Sequence, residues 1–169
     1  MSMTHTIRPF QDRDWPALWP ILQATFQAGD TYSFSPDSTE EEIRRAWIDA
    51  PAATFVLCTA DGTLAGTYFI KANQTGLGDH VCNCGYVVAP AGQGQGLASA
   101  MCVHSQAQAV DMGFLAMQFN LVVSTNERAV RLWQWLGFAI VGTLPGAFRH
   151  QRLGLIDAHV MFKTLAEPA

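Results

Sequence analysis

Apolar residues at positions 15, 18, 19, 22 and 26 recur at steps of three and four, predicting an amphipathic helix over residues 12–26 that Pro20 bends. A short strand over His5–Pro9 precedes it, and the polar loop GDTYSFSPD at residues 29–37 follows. Ser38 and Glu41 have capping-box spacing and open a second helix over 39–49. Two β-type runs, residues 54–59 and 63–71, flank Asp61-Gly62, a pair favoured in tight hairpin turns where both central residues take positive φ. After a Gly-rich loop over 72–79 come a strand over Val81–Val88, a helix over 95–112 closed by Gly113, and a strand over 115–123. That succession is a βαβ crossover and makes its two strands parallel. Ser124 and Glu127 form another capping box for a helix over 126–136 that stops at Gly137. Two final strands, 138–142 and 157–164, bracket a loop reading LPGAFRHQRLGL. The pattern predicts an α/β fold with about four helices and a mixed sheet of about seven strands.

Composition narrows the class. Of 169 residues 49% are apolar and 14% charged, which fits one domain over 1–169 with a filled core. The net charge is −4 and the ten Lys and Arg are scattered, so nucleic acid is not an expected partner. No apolar run is long enough to span a bilayer, and MSMTHTIRPF lacks the basic-then-apolar layout of a secretory signal. The expected compartment is the cytosol. Cys58, Cys82, Cys84 and Cys102 lack the paired spacing of a zinc site, so no metal is expected and the thiols read as reduced, buried small side chains.

The stretch GYVVAPAGQGQGLA, residues 85–98, holds the first chemical signal. Glycines at 92, 94 and 96 directly before a helix leave backbone N–H groups bare at the positive end of the helix dipole, an arrangement that holds pyrophosphate. Neither register completes G-x-G-x-x-G/A, because Ser99 or Leu97 occupies the last position, and the Lys of a Walker loop is missing. With the element order and the pattern Asn126, Ala129, Leu132-Trp133, Gly137-Phe138, the chain resembles the GCN5-related N-acetyltransferase (GNAT) family over nearly its whole length. The resemblance implies a mostly antiparallel sheet with a splayed central parallel pair and acetyl-CoA as cosubstrate. It implies that Gln93, Gly94, Gln95, Gly96, Leu97 and Ala98 wrap the pyrophosphate. The backbone of Val87 and Val88 would pair with the pantetheine arm, and Asn126, Ala129 and Trp133 would complete the cofactor site.

Asn83 and Asn120 lie inside strands, where asparagine is disfavoured, and both fall near the ends of the parallel pair. Each either satisfies a neighbouring backbone group or faces a ligand. Acyl transfer to an amine needs a neutral nucleophile, a donor for the oxyanion and a proton source for the thiolate. Many family members carry a Glu on the strand matching Val81–Val88 and a Tyr matching Trp133; this chain has neither. DHVCN (79–83), FNLVVSTN (119–126), Trp133 and GDTY (29–32) resemble a narrower branch, the azetidine-2-carboxylate (proline-analogue) N-acetyltransferases. That branch implies that Asn83, with bulged backbone at Asn120 and Leu121, holds a small cyclic imino acid, and that Asn126 positions cofactor or reacting groups. Asn83, Asn120 and Asn126 are accordingly the candidate catalytic residues. Tyr32, with Phe34 and Trp47, lines or supports the acceptor pocket. The expected partner is a small-molecule amine or imino acid, and the apolar composition and branch resemblance are compatible with a homodimer. A phosphinothricin-type amino acid, a polyamine or a protein N-terminus would use the same cofactor half-site, and a silent acyl-CoA sensor is the non-enzymatic alternative. His80 is a second candidate base, and Arg149, His150 and Arg152 form either a carboxylate site or a solvated cluster.

Overall fold

The structure is a computed structural model and describes residues 5–167. Seven strands form one sheet in the order β1-β2-β3-β4-β5-β7-β6: β1 is His5–Pro9, β2 Ala53–Thr59, β3 Leu64–Ala72, β4 Val81–Val88, β5 Ala116–Val123, β6 Ala139–His150 and β7 Gly154–Thr164. Among the described residues only β4 and β5 pair in parallel, as the crossover through α3 (Leu97–Asp111) requires. Strand residues alternate between faces. Val56, Cys58, Phe69 and Val87 pack with α1 (Trp15–Ala28) and the second helical segment on one face. Leu57, Tyr68, Ile70, Cys82 and Cys84 pack with α3 and Trp133 of α4 (Glu127–Trp135) on the other.

Several boundaries differ from the sequence reading, each for a local reason. Residues 12–14 form a 3₁₀ turn, because Pro16 sits in the first turn of α1, where its missing N–H costs nothing. The helix runs on to Ala28 and ends at Gly29, whose φ of 62° terminates it. Its buried positions Trp15, Leu18, Leu22 and Phe26 are four of the five that the periodicity marks, and Trp19 is half-buried. The second helix is capped one residue later than expected: the Thr39 hydroxyl accepts from Glu42 N–H and the Glu42 carboxylate accepts from Thr39 N–H. It is α-helical only over Glu40–Arg44 (α2) and widens to π geometry over Arg45–Asp49. There the Thr54 hydroxyl donates to the Trp47 carbonyl at 2.7 Å, and Trp47 is fully buried with its indole N–H on Thr67 Oγ1. α4 is capped by Asn126, whose side chain accepts from Ala129 N–H, so Ser124 does not serve as its cap.

The β2–β3 turn also departs from expectation. Gly62 has φ of 86°, but no non-glycine among the described residues has positive φ, so Asp61 does not. Gly62 N–H bonds to Thr59 O, and the Asp61 carboxylate accepts from the Thr59 hydroxyl and Thr63 N–H. A side-chain acceptor replaces the second left-handed residue. The stretch 144–155 is mostly strand: β6 and β7 pair from Ala139 to His150 with register shifts at Ile140/Gly142 and Leu144/Phe148. Pro145 is compatible because β6 is an edge strand.

Candidate active site

β4 and β5 share only the pairs Val81↔Ala116 and Cys82↔Met117 before they diverge. β5 in turn shifts register against β7 between Phe119 and Val122, which leaves Asn120 and Leu121 in a bulge. The gap so opened is a cavity of about 1080 Å³ that draws its wall from both faces of the sheet. Phe34, Phe69, Lys71 and Asn83 line it from the side of α1, and Ala129, Leu132 and Trp133 from α4.

One end is built to receive an anion. Gly94 and Gly96 have φ of 83° and 77°, a conformation side chains resist, and a Cβ on Gly92 would come within 2.8 Å of Leu97 Cδ1 and 3.2 Å of Val88 Cγ1. Among the described residues no acceptor takes the amide protons of residues 94–99, which surround the N-terminus of α3. Arg128 Nη2 lies 3.8 Å from where a Gly94 Cβ would be, so a guanidinium joins the free amides. This cradle fits a pyrophosphate. Gln93, Gly94, Gly96, Leu97 and Ala98 line the cavity; Gln95 does not, because its side chain turns back to donate to the Ala91 carbonyl at 2.9 Å.

Along β4 the ladder settles which backbone groups are open. Ala89 N–H bonds to Ala65 O and Asn73 N–H to Val81 O, in register with the other β3–β4 pairs. By alternation the N–H and C=O of Val87 face β3, and those of Cys84, Tyr86 and Val88 face the gap. Val87 therefore cannot offer its backbone to an incoming arm as the sequence reading expected; Val88 can. At Tyr86 both groups are taken by one side chain: the Tyr32 hydroxyl donates to Tyr86 O and accepts from Tyr86 N–H, each at 2.7 Å. Burial pushes the Tyr32 phenol well above its ordinary pKa, so it stays neutral and able to donate.

Asn83 and Asn120 come together at the gap. Asn83 Nδ2 donates to Gln118 O at 2.9 Å, replacing the next rung that the diverging strands lose. Asn120 accepts from Gln118 Nε2 and donates to Asn73 Oδ1 at 2.7 Å. Trp133 is buried, with its ring 5.1 Å from Tyr86 and 5.2 Å from Phe119. Its indole N–H has no acceptor among the described residues, yet no buried side-chain nitrogen is left unsatisfied, so this donor opens on the cavity. Trp47 lies behind the wall, edge-on to Tyr32 at 5.7 Å. His80 is exposed and does not line the cavity. His150 is buried and its Nδ1 accepts from Arg152 and Leu153 N–H, closing the β6–β7 turn, while Arg149 and Arg152 are exposed.

Residues 15–138 match the model of the acetyltransferase (GNAT) family. The chain belongs to that family. This GNAT acetyltransferase superposes on a GCN5-related N-acetyltransferase from Kribbella flavida with a TM-score of 0.89 and 40% identity, over 95% of this chain and 97% of that one. It shares the fold of a phosphinothricin acetyltransferase from Sinorhizobium meliloti solved with acetyl-CoA, with a TM-score of 0.87 and 18% identity over 99% and 91% of the two chains. It is 34% identical over 101 residues to the N-acetyltransferase aca1 of Schizosaccharomyces pombe, a match that spans 58% of this chain and 47% of that protein. The glycine cradle agrees with membership of an acetyltransferase family.

Three charged lining residues, Lys71, Arg128 and Arg131, escaped the sequence reading. With Asp30, which lies in the GDTY stretch, they carry all the formal charge that the described residues place on the cavity wall. Among the described residues no cluster of three metal-ligating side chains forms, and no helix is long and apolar enough to cross a membrane.

Proposed function

We propose that this GNAT acetyltransferase acetylates the amino nitrogen of a small amino or imino acid, with a proline-like ring as the acceptor of choice. The observation that supports this most is the anchored amide of Asn83, beside the Asn120–Leu121 bulge, at the mouth of the splay. Acetyl-CoA supplies the thioester-bound acetyl group. The free amides of residues 94–99 and Arg128 hold its pyrophosphate, the Val88 backbone receives the pantetheine arm, and Asn126, Ala129 and Trp133 close over it. Asn83 and the bulge hold the acceptor on the α1 side. Among the described residues Asp30 is the one carboxylate on the wall, so a polyamine would find little to neutralise it. An indole cannot release a proton near neutral pH, so Trp133 acts as a donor and solvent carries the protons.

The buried free thiols suit a reducing cytosol. Edge strand β6 exposes Ile140, Val141 and Leu144, which supports a homodimer through that edge. An elution volume matching one 18.4 kDa chain would remove the dimer.

The deciding experiment is thiol release from acetyl-CoA with a panel holding azetidine-2-carboxylate, L-proline, phosphinothricin, spermidine and a peptide N-terminus. The imino acids are expected to turn over fastest. Asn83→Ala is expected to lose about ten- to a hundredfold in kcat/KM for them, with acetyl-CoA affinity intact. Turnover with spermidine or the peptide alone overturns the acceptor assignment, and release at the hydrolysis rate with every acceptor points to a sensor.

A further inference from the structure

The acceptor side of the cavity holds a cation without an anionic partner. Lys71 is half-buried near the end of β3 and lines the cavity. Its ammonium lies 5.3 Å from the centre of the Phe69 ring, which lines the same wall. None of the ion pairs among the described residues includes it, whereas Arg131 is paired with Glu127 and Arg128 sits at the glycine cradle. An ammonium that faces a ring and has no carboxylate beside it is free to take an anionic ligand.

Register makes Lys71 the direct partner of Asn83 across β3–β4. Cross-strand partners project to the same face with Cβ atoms about 4.5–5.5 Å apart. Asn83 uses one amide hydrogen on the Gln118 carbonyl and retains the other. An ammonium and an amide N–H side by side match the two oxygens of a carboxylate. They stand next to the gap through which the acetyl group is delivered.

We infer that Lys71 is the counter-ion for the acceptor's carboxylate, so that the enzyme selects amines bearing an adjacent carboxylate over amides, esters and polyamines. This rests on the reading of the acceptor as an amino or imino acid. Neutralising the carboxylate also removes the negative charge that holds a proton on the adjacent amine, which favours the free nucleophile.

The test compares L-proline and azetidine-2-carboxylate with their primary carboxamides as acceptors for wild type, Lys71→Met and Lys71→Arg, with acetyl-CoA affinity measured on each protein to report an intact fold. Wild type is expected to prefer acid over amide by at least about tenfold, the margin a charge-assisted hydrogen bond typically gives. Lys71→Met should lose about tenfold or more on the acids and little on the amides, and Lys71→Arg should restore most of the preference. If Lys71→Met keeps the wild-type acid-to-amide ratio, or wild type shows none, Lys71 is not the counter-ion although the acceptor reading stands. If wild type acetylates neither acids nor amides, the acceptor reading falls and this inference with it.

Discussion

The hydroxyl of Tyr32 holds both the N–H and the C=O of Tyr86, each at 2.7 Å, and so occupies the stretch of β4 edge that β5 abandons when the two strands part. It ties the loop after α1 to the floor of the cavity. The Tyr32 ring is fixed from behind by Phe26 at 5.5 Å and Trp47 at 5.7 Å, both edge-on. Tyr32→Phe keeps those contacts and leaves two backbone groups unpaired. Stability is expected to fall by about 1–3 kcal/mol and the acceptor KM to rise, while acetyl-CoA affinity changes little. An unaltered urea midpoint would show that the bridge contributes nothing.

Gly94→Asp places a carboxylate where Arg128 can meet it, at a residue whose φ of 83° already disfavours a side chain. The new group takes the anion's seat and neutralises its cation. Thermal stabilisation by acetyl-CoA should disappear in this variant. Arg128→Ala, which removes one charged contact, should weaken acetyl-CoA by about tenfold and lessen the dependence of binding on salt. Wild-type thermal stabilisation of Gly94→Asp would move the cofactor elsewhere.

Trp133→Phe retains a six-membered ring between Tyr86 and Phe119 and removes the indole N–H together with the fused five-membered ring. A fall in kcat of less than about tenfold is expected, with the pH profile unchanged, because no titrating acid is lost. Loss of all turnover in a folded Trp133→Phe protein would return the proton-donor role to this position.

Asp14 is buried and accepts from both terminal nitrogens of Arg8 at 2.7 Å and from Gln11 N–H. The Arg8 guanidinium, and then the backbone bond, hold its carboxyl below the ordinary value of 3.8. A depressed folded-state pKa contributes stability that is complete above the ordinary value and is lost as pH falls through the depressed one. Chemical denaturation of wild type should therefore steepen in its pH dependence below about pH 4, and Asp14→Asn should be less stable at pH 7 and flatter in acid. Parallel acid limbs for the two proteins would remove Asp14 from the account.

All four cysteines are free and buried, and burial pushes the Cys102 thiol up to about 11 and the Cys84 thiol higher than usual. The native enzyme is expected to react slowly with a disulfide reagent at pH 8 and to expose all four thiols on unfolding. Rapid native labelling would contradict the close packing around the four thiols on the two faces of the sheet.

Sequence spacing resolved most of the frame. The α1 stripe, the β2–β3 hairpin, the crossover and the glycine loop were legible because each follows from contacts between residues close in the chain. The second helix, the β2–β3 turn and the β6–β7 pairing were misread in detail, since Thr39, Asp61 and Pro145 act through neighbours or edge position that periodicity does not encode. Among site residues, Asn83 and Asn120 stood out because asparagine is unusual in a strand. Lys71 did not, because a lysine in a hairpin strand reads as an ordinary exposed residue until its wall is known.

By itself, then, the order of residues determined the elements, the one parallel connection and the bare backbone before α3, for these are local consequences of periodicity and of glycine. Tertiary structure alone decided how far β4 and β5 separate, which edge of β4 faces the gap, and which charges meet there. Those depend on long-range register: the bulge at Asn120 and Leu121, the ladder that turns Val87 toward β3 and Val88 toward the opening, and the pairing of Lys71 with Asn83. A shift of one residue in that register would move each group to the other side, and no local pattern reports it.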